Sequence, residues 1–220
     1  MKASTNISRL FSPDKLETMV KQPKTELCHM MTKHGSDKGT QHHNYTLFYD
    51  HIFKDRREEP LNVLEIGIGS NNRGIPSNMT GIPNYSPGAS IRAWKEYFPN
   101  AELWACDIDK DIIDFPDKRI TGFYMDQRDI SGTYDTFYEG SLKDVEFDII
   151  IDDGLHHFET NINVMYTLLP KLRKGGWYII EDILDYNPNI VPVGMPYKYQ
   201  FIKIPNPHNE VDNNLFVVQK

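Results

Sequence analysis

The chain has 220 residues, a length suited to one domain with a sizeable hydrophobic core. Its 24 Lys and Arg residues and 31 Asp and Glu residues give a net charge of −7, which argues against a nucleic-acid partner. No segment approaches the roughly 18 apolar residues of a membrane span, the first residues lack a signal-peptide pattern, and the 2 cysteines are too few for a disulfide framework. We therefore expect a cytoplasmic protein with no membrane partner.

The first predicted elements are helices that precede the core. Ser12–Phe53 contains two predicted helices around a polar loop, HGSDKGTQHHNYT. We assign residues 1–58 to a helical cap over the ligand-binding edge of a core formed by residues 59–220. The loop contains three histidines that fit surface positions better than ligand positions: His34, His42 and His43.

Short apolar segments then alternate with longer helix-compatible segments, a pattern typical of βαβ units and a parallel sheet. Five short segments rich in apolar residues are predicted strands: Leu61–Ile66, Glu102–Cys106, Arg119–Met125, Phe147–Ile151 and Trp177–Ile180. Three intervening segments are predicted helices: Ala89–Phe98, Arg128–Leu142 and His157–Leu172. Gly175 and Gly176 are predicted to stop the last helix.

The C-terminal segments indicate a different kind of pairing. Tyr197–Ile204 and Leu215–Val218 are two strand-like segments joined by a polar turn, so they predict an antiparallel hairpin at the sheet edge. Five parallel strands followed by such a hairpin give a mostly parallel, seven-stranded α/β sheet. This is the Rossmann-like layout of the class I methyltransferases.

A glycine-rich turn follows the first predicted strand. The sequence EIGIG places Glu65, Gly67 and Gly69 where a nucleotide-binding turn would lie, although a purely structural turn is an equal alternative. Asp107 ends the second strand, where an acid could accept hydrogen bonds from a ribose diol or instead cap a helix. It follows Glu65 by more than the roughly 20 residues typical of such an acid. The long polar loop Ser70–Gly88 accounts for the excess, and long ordered loops are usually functional.

Further positions complete this predicted nucleotide site. Asp126 and Gln127 follow the third strand and could reach an adenine ring, with a surface turn as the alternative. Ser90 begins a predicted helix and could present its hydroxyl or N–H to a carboxylate of the ligand.

Acidic residues follow the fourth and fifth predicted strands, in IDDGLHH and IIEDI. The carboxyl ends of parallel strands share one sheet edge, so Asp153, Glu181 and Asp182 could converge there. Three carboxylates with open positions are a Mg²⁺-type ligand set, and without a cation they would repel one another. The alternative is that each acid is a separately solvated helix cap.

Several of these motifs occur in the order found in one family. The segments EIGIG, GASIRAWKEYFPNAELWACDID, MDQRD, IDDGLHH and GGWYIIEDI resemble metal-dependent sugar O-methyltransferases of the macrolide-tailoring type. The upstream SDKG and HHNYTLFYDHIF segments resemble the part of that family before the core. The resemblance covers roughly Gly35 to Asp182 and implies S-adenosylmethionine, Mg²⁺ or Mn²⁺, and a sugar hydroxyl as acceptor. Two departures are the long insertion after Gly69 and the lack of room for the large N-terminal domain of some members.

The resemblance also implies roles for individual residues. It makes Asp153, Glu181 and Asp182 the metal ligands and His156 the general base, a role that histidine's ordinary pKa of about 6.5 suits. His157 is the competing base, and a helix N-terminus with exposed rings is the alternative for the pair. We count Asp153 with His156 as the catalytic residues. Three positions join the cofactor site, the first two through the resemblance alone: Asp37, Tyr45 and Asp152.

Other functions remain open from the sequence. A catechol-type O-methyltransferase would use a similar metal with an aromatic acceptor, and a non-catalytic domain would bind S-adenosylmethionine without turnover. An iron oxygenase, whose iron is bound by two histidines and one carboxylate, is a further alternative, but it does not explain the glycine-rich turn. An amino-methyltransferase is disfavoured because the fourth strand lacks an Asn/Asp-Pro-Pro-aromatic turn. The expected partner is a small-molecule or glycan acceptor, and a homo-oligomer is possible.

Overall fold

The computed structural model describes residues 10–21, 24–191, 195–206, 209 and 211–220. These residues form seven strands: β1 (Asn62–Ile66), β2 (Glu102–Asp107), β3 (Ile120–Tyr124), β4 (Phe147–Asp152), β5 (Leu172–Glu181), β6 (Lys198–Lys203) and β7 (Asn214–Gln219). The strands make one sheet in the order β3-β2-β1-β4-β5-β7-β6. Strands β1 to β5 are parallel, and β7 pairs antiparallel with β5 and β6. The predicted α/β fold with its C-terminal hairpin is therefore confirmed.

The described part of the chain also contains six α-helices: α1 (Pro13–Val20), α2 (Glu26–His34), α3 (Tyr45–Phe53), α4 (Ala89–Tyr97), α5 (Ile130–Tyr134) and α6 (Phe158–Leu168). Ser12 caps α1 by accepting a hydrogen bond from the Lys15 N–H, and Thr25 caps α2 by accepting one from the Cys28 N–H. Helix α2 ends at Gly35, whose φ of 83° favours glycine. Across the described ranges, no helix is long and apolar enough to cross a membrane.

Both faces of the sheet are covered. Successive residues of a strand point to opposite faces, so Val63 and Leu64 of β1 belong to different hydrophobic clusters. One cluster joins the sheet to side chains of α1, α2, α3 and α4, and the other joins it to α6. This double coverage explains why the central strands are almost continuously apolar.

The strand order reverses next to β1, which has β2 on one side and β4 on the other. In open α/β sheets the loops diverge at such a point and leave a crevice at the carboxyl ends of the strands. The glycine-rich turn after β1 and the acidic loop after β4 both begin there. The topology therefore places the predicted nucleotide and metal residues beside the same crevice.

Three helix predictions differ from the structure. Ser12–Phe53 contains three helices instead of two, because the Thr25 cap begins a separate helix before the polar loop. The helix predicted over Arg128–Leu142 is the short α5 followed by a π-helical turn at Asp135–Glu139. Helix α5 has the sequence ISGTY, in which Gly and Thr are weak helix formers.

The helix predicted over His157–Leu172 also ends earlier than expected. Helix α6 stops at Leu168, because Pro170 cannot donate the backbone hydrogen bond that a continuing helix needs. Leu172 already belongs to β5, so Gly175 and Gly176 lie inside a strand and do not stop a helix. The register of β5 against β4 shifts in this region, where Phe147 pairs with Leu172 but Ile149 pairs with Trp177.

Candidate active site

A cleft of about 410 Å³ lies at the carboxyl ends of β1, β2 and β4, a volume typical of small-molecule sites. Its walls include ten of the predicted site residues: Asp37, Gly67, Gly69, Ser90, Asp107, Asp126, Gln127, Asp153, His156 and Asp182. Four other predicted residues are almost completely buried behind these walls: Tyr45, Glu65, Asp152 and Glu181. The sheet thus brings the predicted nucleotide and acid residues to one cavity.

The glycine-rich turn lines the cleft. Gly67 and Gly69 have φ values of 80° and 75°, in the left-handed region that favours glycine. A Cβ atom on Gly67 would collide with the Asp153 backbone, and one on Gly69 would collide with the Tyr85 hydroxyl. Only glycine therefore allows the turn to pack this closely against the acidic loop.

Asp107 holds this turn in place. Its Oδ2 accepts a hydrogen bond from the Ile68 N–H at 2.9 Å, and its Oδ1 accepts one from the Asp109 N–H at 2.9 Å. Burial raises the pKa of Asp107, while these hydrogen bonds lower it. The carboxylate also lines the cleft, so it supports the turn and remains within reach of a ligand.

Two further predicted nucleotide positions, Ser90 and Asp126, line the cleft. Ser90 is buried in the first turn of α4. Asp126 accepts two hydrogen bonds from the Arg128 guanidinium, at 2.9 and 2.7 Å, and this pairing lowers its pKa. Asp126 therefore reaches the cleft as part of an ion pair.

The insertion at Ser70–Gly88 contributes to the cleft directly. Pro76, Ser77, Asn78, Met79 and Tyr85 line the cavity, and the Tyr85 hydroxyl donates to the Ile68 carbonyl at 3.0 Å. The insertion is therefore packed over the glycine-rich turn and forms part of the lining of the cleft.

Asp152 supports the cleft from behind. Its carboxylate accepts hydrogen bonds from Gln127 Nε2 at 2.7 Å, Asn161 Nδ2 at 2.9 Å and the Tyr178 hydroxyl at 3.2 Å. Burial raises its pKa to about 6, against the effect of these donors. Gln127 in turn accepts a hydrogen bond from the Leu155 N–H at 2.6 Å. Asp152 therefore positions Gln127 and the acidic loop, and it does not line the cleft.

Asp153, His156 and Asp182 form a cluster that could hold a metal ion, with ligand atoms within 4.8 Å of one another. His156 Nε2 lies 3.2 Å from Asp153 Oδ1 and 4.0 Å from Asp182 Oδ2. His156 and Asp182 have φ values of 55° and 52°, although neither is glycine. Such strained conformations concentrate at functional sites, where the surrounding structure enforces them.

Glu181 is not part of this cluster, and it contacts two residues that the sequence analysis did not assign to the site. Its Oε2 accepts a hydrogen bond from Lys38 Nζ at 2.5 Å, and its Oε1 accepts one from the Tyr49 hydroxyl. Lys38 also donates to Asp153 Oδ2 at 2.5 Å. Lys38 belongs to the SDKG motif, so the family resemblance could have pointed to it. It was missed because a lysine in a polar loop is normally solvated.

Tyr45 and His43 support Asp182. The Tyr45 hydroxyl lies 2.5 Å from Asp182 Oδ1, and the His43 ring stacks on the Tyr45 ring at a centroid distance of 4.8 Å. Tyr45 is fully buried, so it stands behind the cleft and does not close over it. The surface prediction for His43 is wrong because its ring is covered by this contact, whereas His42 is exposed and His34 is half-buried beside Glu96.

His157 occupies a different environment from its neighbour. It is the N-cap residue of α6, its side chain is 54% exposed, and its Nδ1 lies 2.9 Å from Thr160 Oγ1. His156 lines the cleft, whereas His157 faces the first turn of the helix.

The electrostatics of the cluster follow from its excess of carboxylates. Burial alone would lower the pKa of His156, but the hydrogen bond and charge of Asp153, with the charge of Asp182, raise it to about 9. Burial and the charge of Asp153 raise the pKa of Asp182 to about 6. Burial would also raise the pKa of Asp153, but Lys38 and His156 lower it. The cluster is therefore stabilised by positive charge, as hard oxygen ligands for a divalent cation would be.

No family model matches the chain, but several curated O-methyltransferases are similar to it in sequence. The chain is 34% identical over 155 residues to L-olivosyl-oleandolide 3-O-methyltransferase of Streptomyces antibioticus, a match over 68% of this chain and 35% of the relative. It is 32% identical over 160 residues to demethylmacrocin O-methyltransferase of Streptomyces fradiae, over 73% of this chain and 37% of the relative. The match thus spans about a third of the length of these curated relatives.

Solved structures show the same similarity. The MycE methyltransferase from the mycinamycin biosynthetic pathway, solved in complex with Mg and SAH, superposes with a TM-score of 0.65 and 25% sequence identity. The superposition covers 90% of this chain and 55% of that chain. The shared fold and the sequence similarity to several sugar O-methyltransferases show that the chain belongs to the metal-dependent, class I S-adenosylmethionine sugar O-methyltransferase family.

Proposed function

We propose that the protein transfers the methyl group of S-adenosylmethionine to a sugar hydroxyl of a glycosylated acceptor, with the help of Mg²⁺ or Mn²⁺. The observation that carries the proposal is the convergence of two sets of residues in one cleft. The glycine-rich turn and Asp107 line the cleft, and so do Asp153, His156 and Asp182; these two sets are called the first and the second wall below. A nucleotide-like cofactor on the first wall would face an acceptor held at the second.

The residues on the first wall suit the cofactor. The turn after β1 brings backbone close to a ligand, and Asp107 stands at the end of β2, where an acid can accept hydrogen bonds from a ribose. Gln127 is held by Asp152, so its position at the cleft wall is fixed. The sulfonium charge already activates the methyl group, so the protein has to align the acceptor oxygen with it.

The residues on the second wall suit the activation of a hydroxyl. Asp153 and Asp182, together with Glu181, would hold the metal, whose chemistry is to lower the pKa of a bound hydroxyl from near the 15.7 of water. The pKa of His156 would fall once a divalent cation offset the charges of Asp153 and Asp182. Its imidazole would then be neutral and able to accept the hydroxyl proton.

The relatives support a glycosylated acceptor. One matched protein is named for an olivosyl-oleandolide acceptor, and MycE has also been solved in complex with Mg, SAH and mycinamycin VI. The aligned parts are 35–37% of the curated relatives, so the acceptor class is transferred to this chain as part of the proposal.

A panel of acceptors tests the proposal. Incubation with S-adenosylmethionine and Mg²⁺ should add a methyl group to glycosylated macrolides or polyketides, detected as a mass increase on the sugar. The matched aglycones and simple catechols should remain unmodified. Methylation of catechols alone would favour the aromatic-acceptor alternative, and cofactor binding without any product would favour a non-catalytic domain.

A further inference from the structure

Lys38 occupies an unusual position for a lysine. It is 1% exposed, and its Nζ lies 2.5 Å from Asp153 Oδ2, 2.5 Å from Glu181 Oε2 and 3.6 Å from Glu65 Oε1. Burial would lower its pKa, but the three carboxylates raise it well above the ordinary value. The ammonium group is therefore a buried cation, placed between two carboxylates that belong to the proposed metal set.

An ammonium group and a metal ion would compete for these oxygens. Mg²⁺ binds its oxygen ligands at about 2.0–2.1 Å and requires a nearly octahedral arrangement. Lys38 already holds one oxygen of Asp153 and one of Glu181. Glu181 is not among Asp153, His156 and Asp182, the described residues whose ligand atoms lie within 4.8 Å of one another, and its Oε2 is held by Lys38. Glu181 can join the proposed metal set only if Lys38 releases it.

Glu65 offers a second position for the ammonium group. It is fully buried, and among the described residues neither of its carboxylate oxygens has a hydrogen-bond partner within 3.5 Å. Burial raises its pKa to about 7, although Lys38 and the side chains of Ser90 and Trp94 lower it. A buried carboxylate without a short hydrogen bond is unfavourable, and a charge-assisted hydrogen bond of about 2.7–2.9 Å would stabilise it. Lys38 Nζ lies 3.6 Å from Glu65 Oε1, so a small side-chain movement would form that bond.

We propose that Lys38 is an internal counterion of the metal-free site, that the divalent metal displaces it from Asp153 and Glu181, and that Glu65 then receives its ammonium group. This inference rests on the proposed metal site and adds a coupling between that site and Glu65 at the glycine-rich turn. Asp153 and Glu181 keep a positively charged partner throughout, because the metal ion takes the position that the ammonium group leaves.

Calorimetric titration of Mg²⁺ into the cofactor-free protein tests the displacement. Lys38→Met removes the competing cation, so Mg²⁺ should bind more tightly, by at least about fivefold for a coupling of ordinary size. Glu65→Gln removes the receiving carboxylate and keeps nearly the same shape, so Mg²⁺ should bind several-fold more weakly. In the double variant the effect of Glu65→Gln should disappear, because no ammonium group remains to be received.

The outcomes separate this inference from the proposed function. If Mg²⁺ binds but Lys38→Met leaves its affinity unchanged or weakens it, the displacement is overturned and the metal site stands. If Glu65→Gln weakens binding equally in the Lys38→Met background, its effect is simple charge attraction and the transfer to Glu65 is overturned. Absence of Mg²⁺ binding in all four proteins overturns the metal site itself and this inference with it.

Folding of the variants is checked independently. Lys38→Met leaves buried carboxylates without their cation, so circular dichroism and thermal unfolding are recorded with and without Mg²⁺. The displacement predicts a larger Mg²⁺-induced rise in melting temperature for Lys38→Met than for the wild type. If Lys38→Met does not fold, Glu65→Gln still provides a test on its own, because unchanged Mg²⁺ affinity in Glu65→Gln overturns the transfer.

Discussion

His156 Nε2 lies 3.2 Å from Asp153 Oδ1, and both residues belong to the loop that follows β4. The contact aims the imidazole into the cleft, where the proposed acceptor hydroxyl would bind. If His156 accepts the hydroxyl proton, His156→Ala should lower kcat by about 10²–10⁴-fold with little change in cofactor affinity. Initial rates under saturating cofactor measure this effect.

His157 provides the control for that variant. Its ring is exposed and contacts Thr160 in the first turn of α6, so His157→Ala should change kcat far less. A greater loss at His157 than at His156 would show that the base has been assigned to the wrong residue.

Asp107→Ala should weaken binding of S-adenosylhomocysteine by about tenfold or more, because it removes hydrogen bonds of a charged group. The variant also frees the Ile68 N–H that shapes the glycine-rich turn. Calorimetry should show nearly unchanged Mg²⁺ affinity, since Asp107 has no contact with Asp153 or Asp182 among those described. Parallel loss of both ligands would indicate unfolding.

Binding of Mg²⁺ near neutral pH should release protons. The pKa of His156 is about 9 without metal, raised by Asp153 and Asp182 against the effect of burial, so the ring is protonated below that pH. A cation on the same carboxylates lowers this pKa, and Mg²⁺ affinity should therefore rise with pH and level off above about 9. Calorimetry in two buffers of different ionisation enthalpy measures the release.

His156→Asn is the matched control for proton release. It should reduce the release without abolishing it, because burial also raises the pKa of Glu181. Mg²⁺ affinity that falls as pH rises towards 9 would contradict this description of the cluster.

Tyr45→Phe should lower the free energy of unfolding by about 1–3 kcal/mol, the effect of leaving a buried polar group without its partner. The Tyr45 hydroxyl lies 2.5 Å from Asp182 Oδ1 and also accepts from the Asn214 N–H at 3.2 Å. Tyr134→Phe is the control, since Tyr134 is 49% exposed. Chemical denaturation curves that coincide for Tyr45→Phe and the wild type would remove the supporting role of Tyr45.

The sequence predicted the sheet well because strand periodicity and the parallel βαβ pattern are local signals. Helix ends were less predictable. The early end of α6 depends on Pro170, and the inclusion of Gly175 in β5 depends on pairing with β4, which no local pattern records. The convergence of Asp153 and Asp182 was predictable because parallel strands end at one edge.

The sequence did not predict which site residues line the cleft and which are buried behind it. Asp152 and Asp153 are adjacent in sequence, but Asp152 ends β4 and is buried behind the cleft, whereas Asp153 begins the following loop and lines the cleft. Lys38 contacts Asp153 and Glu181 across 115 and 143 positions of the chain. Such long-range contacts depend on how the N-terminal helices pack on the sheet.

The central claim is that methyl transfer to a sugar hydroxyl depends on a metal in the acidic cluster, and a chelation experiment tests it most directly. Transfer of labelled methyl from S-adenosylmethionine to a glycosylated acceptor is measured before and after exhaustive treatment with EDTA. The proposed function predicts that chelation abolishes turnover and that Mg²⁺ or Mn²⁺ restores it, with no restoration in Asp153→Ala. Full activity after chelation would contradict the claim.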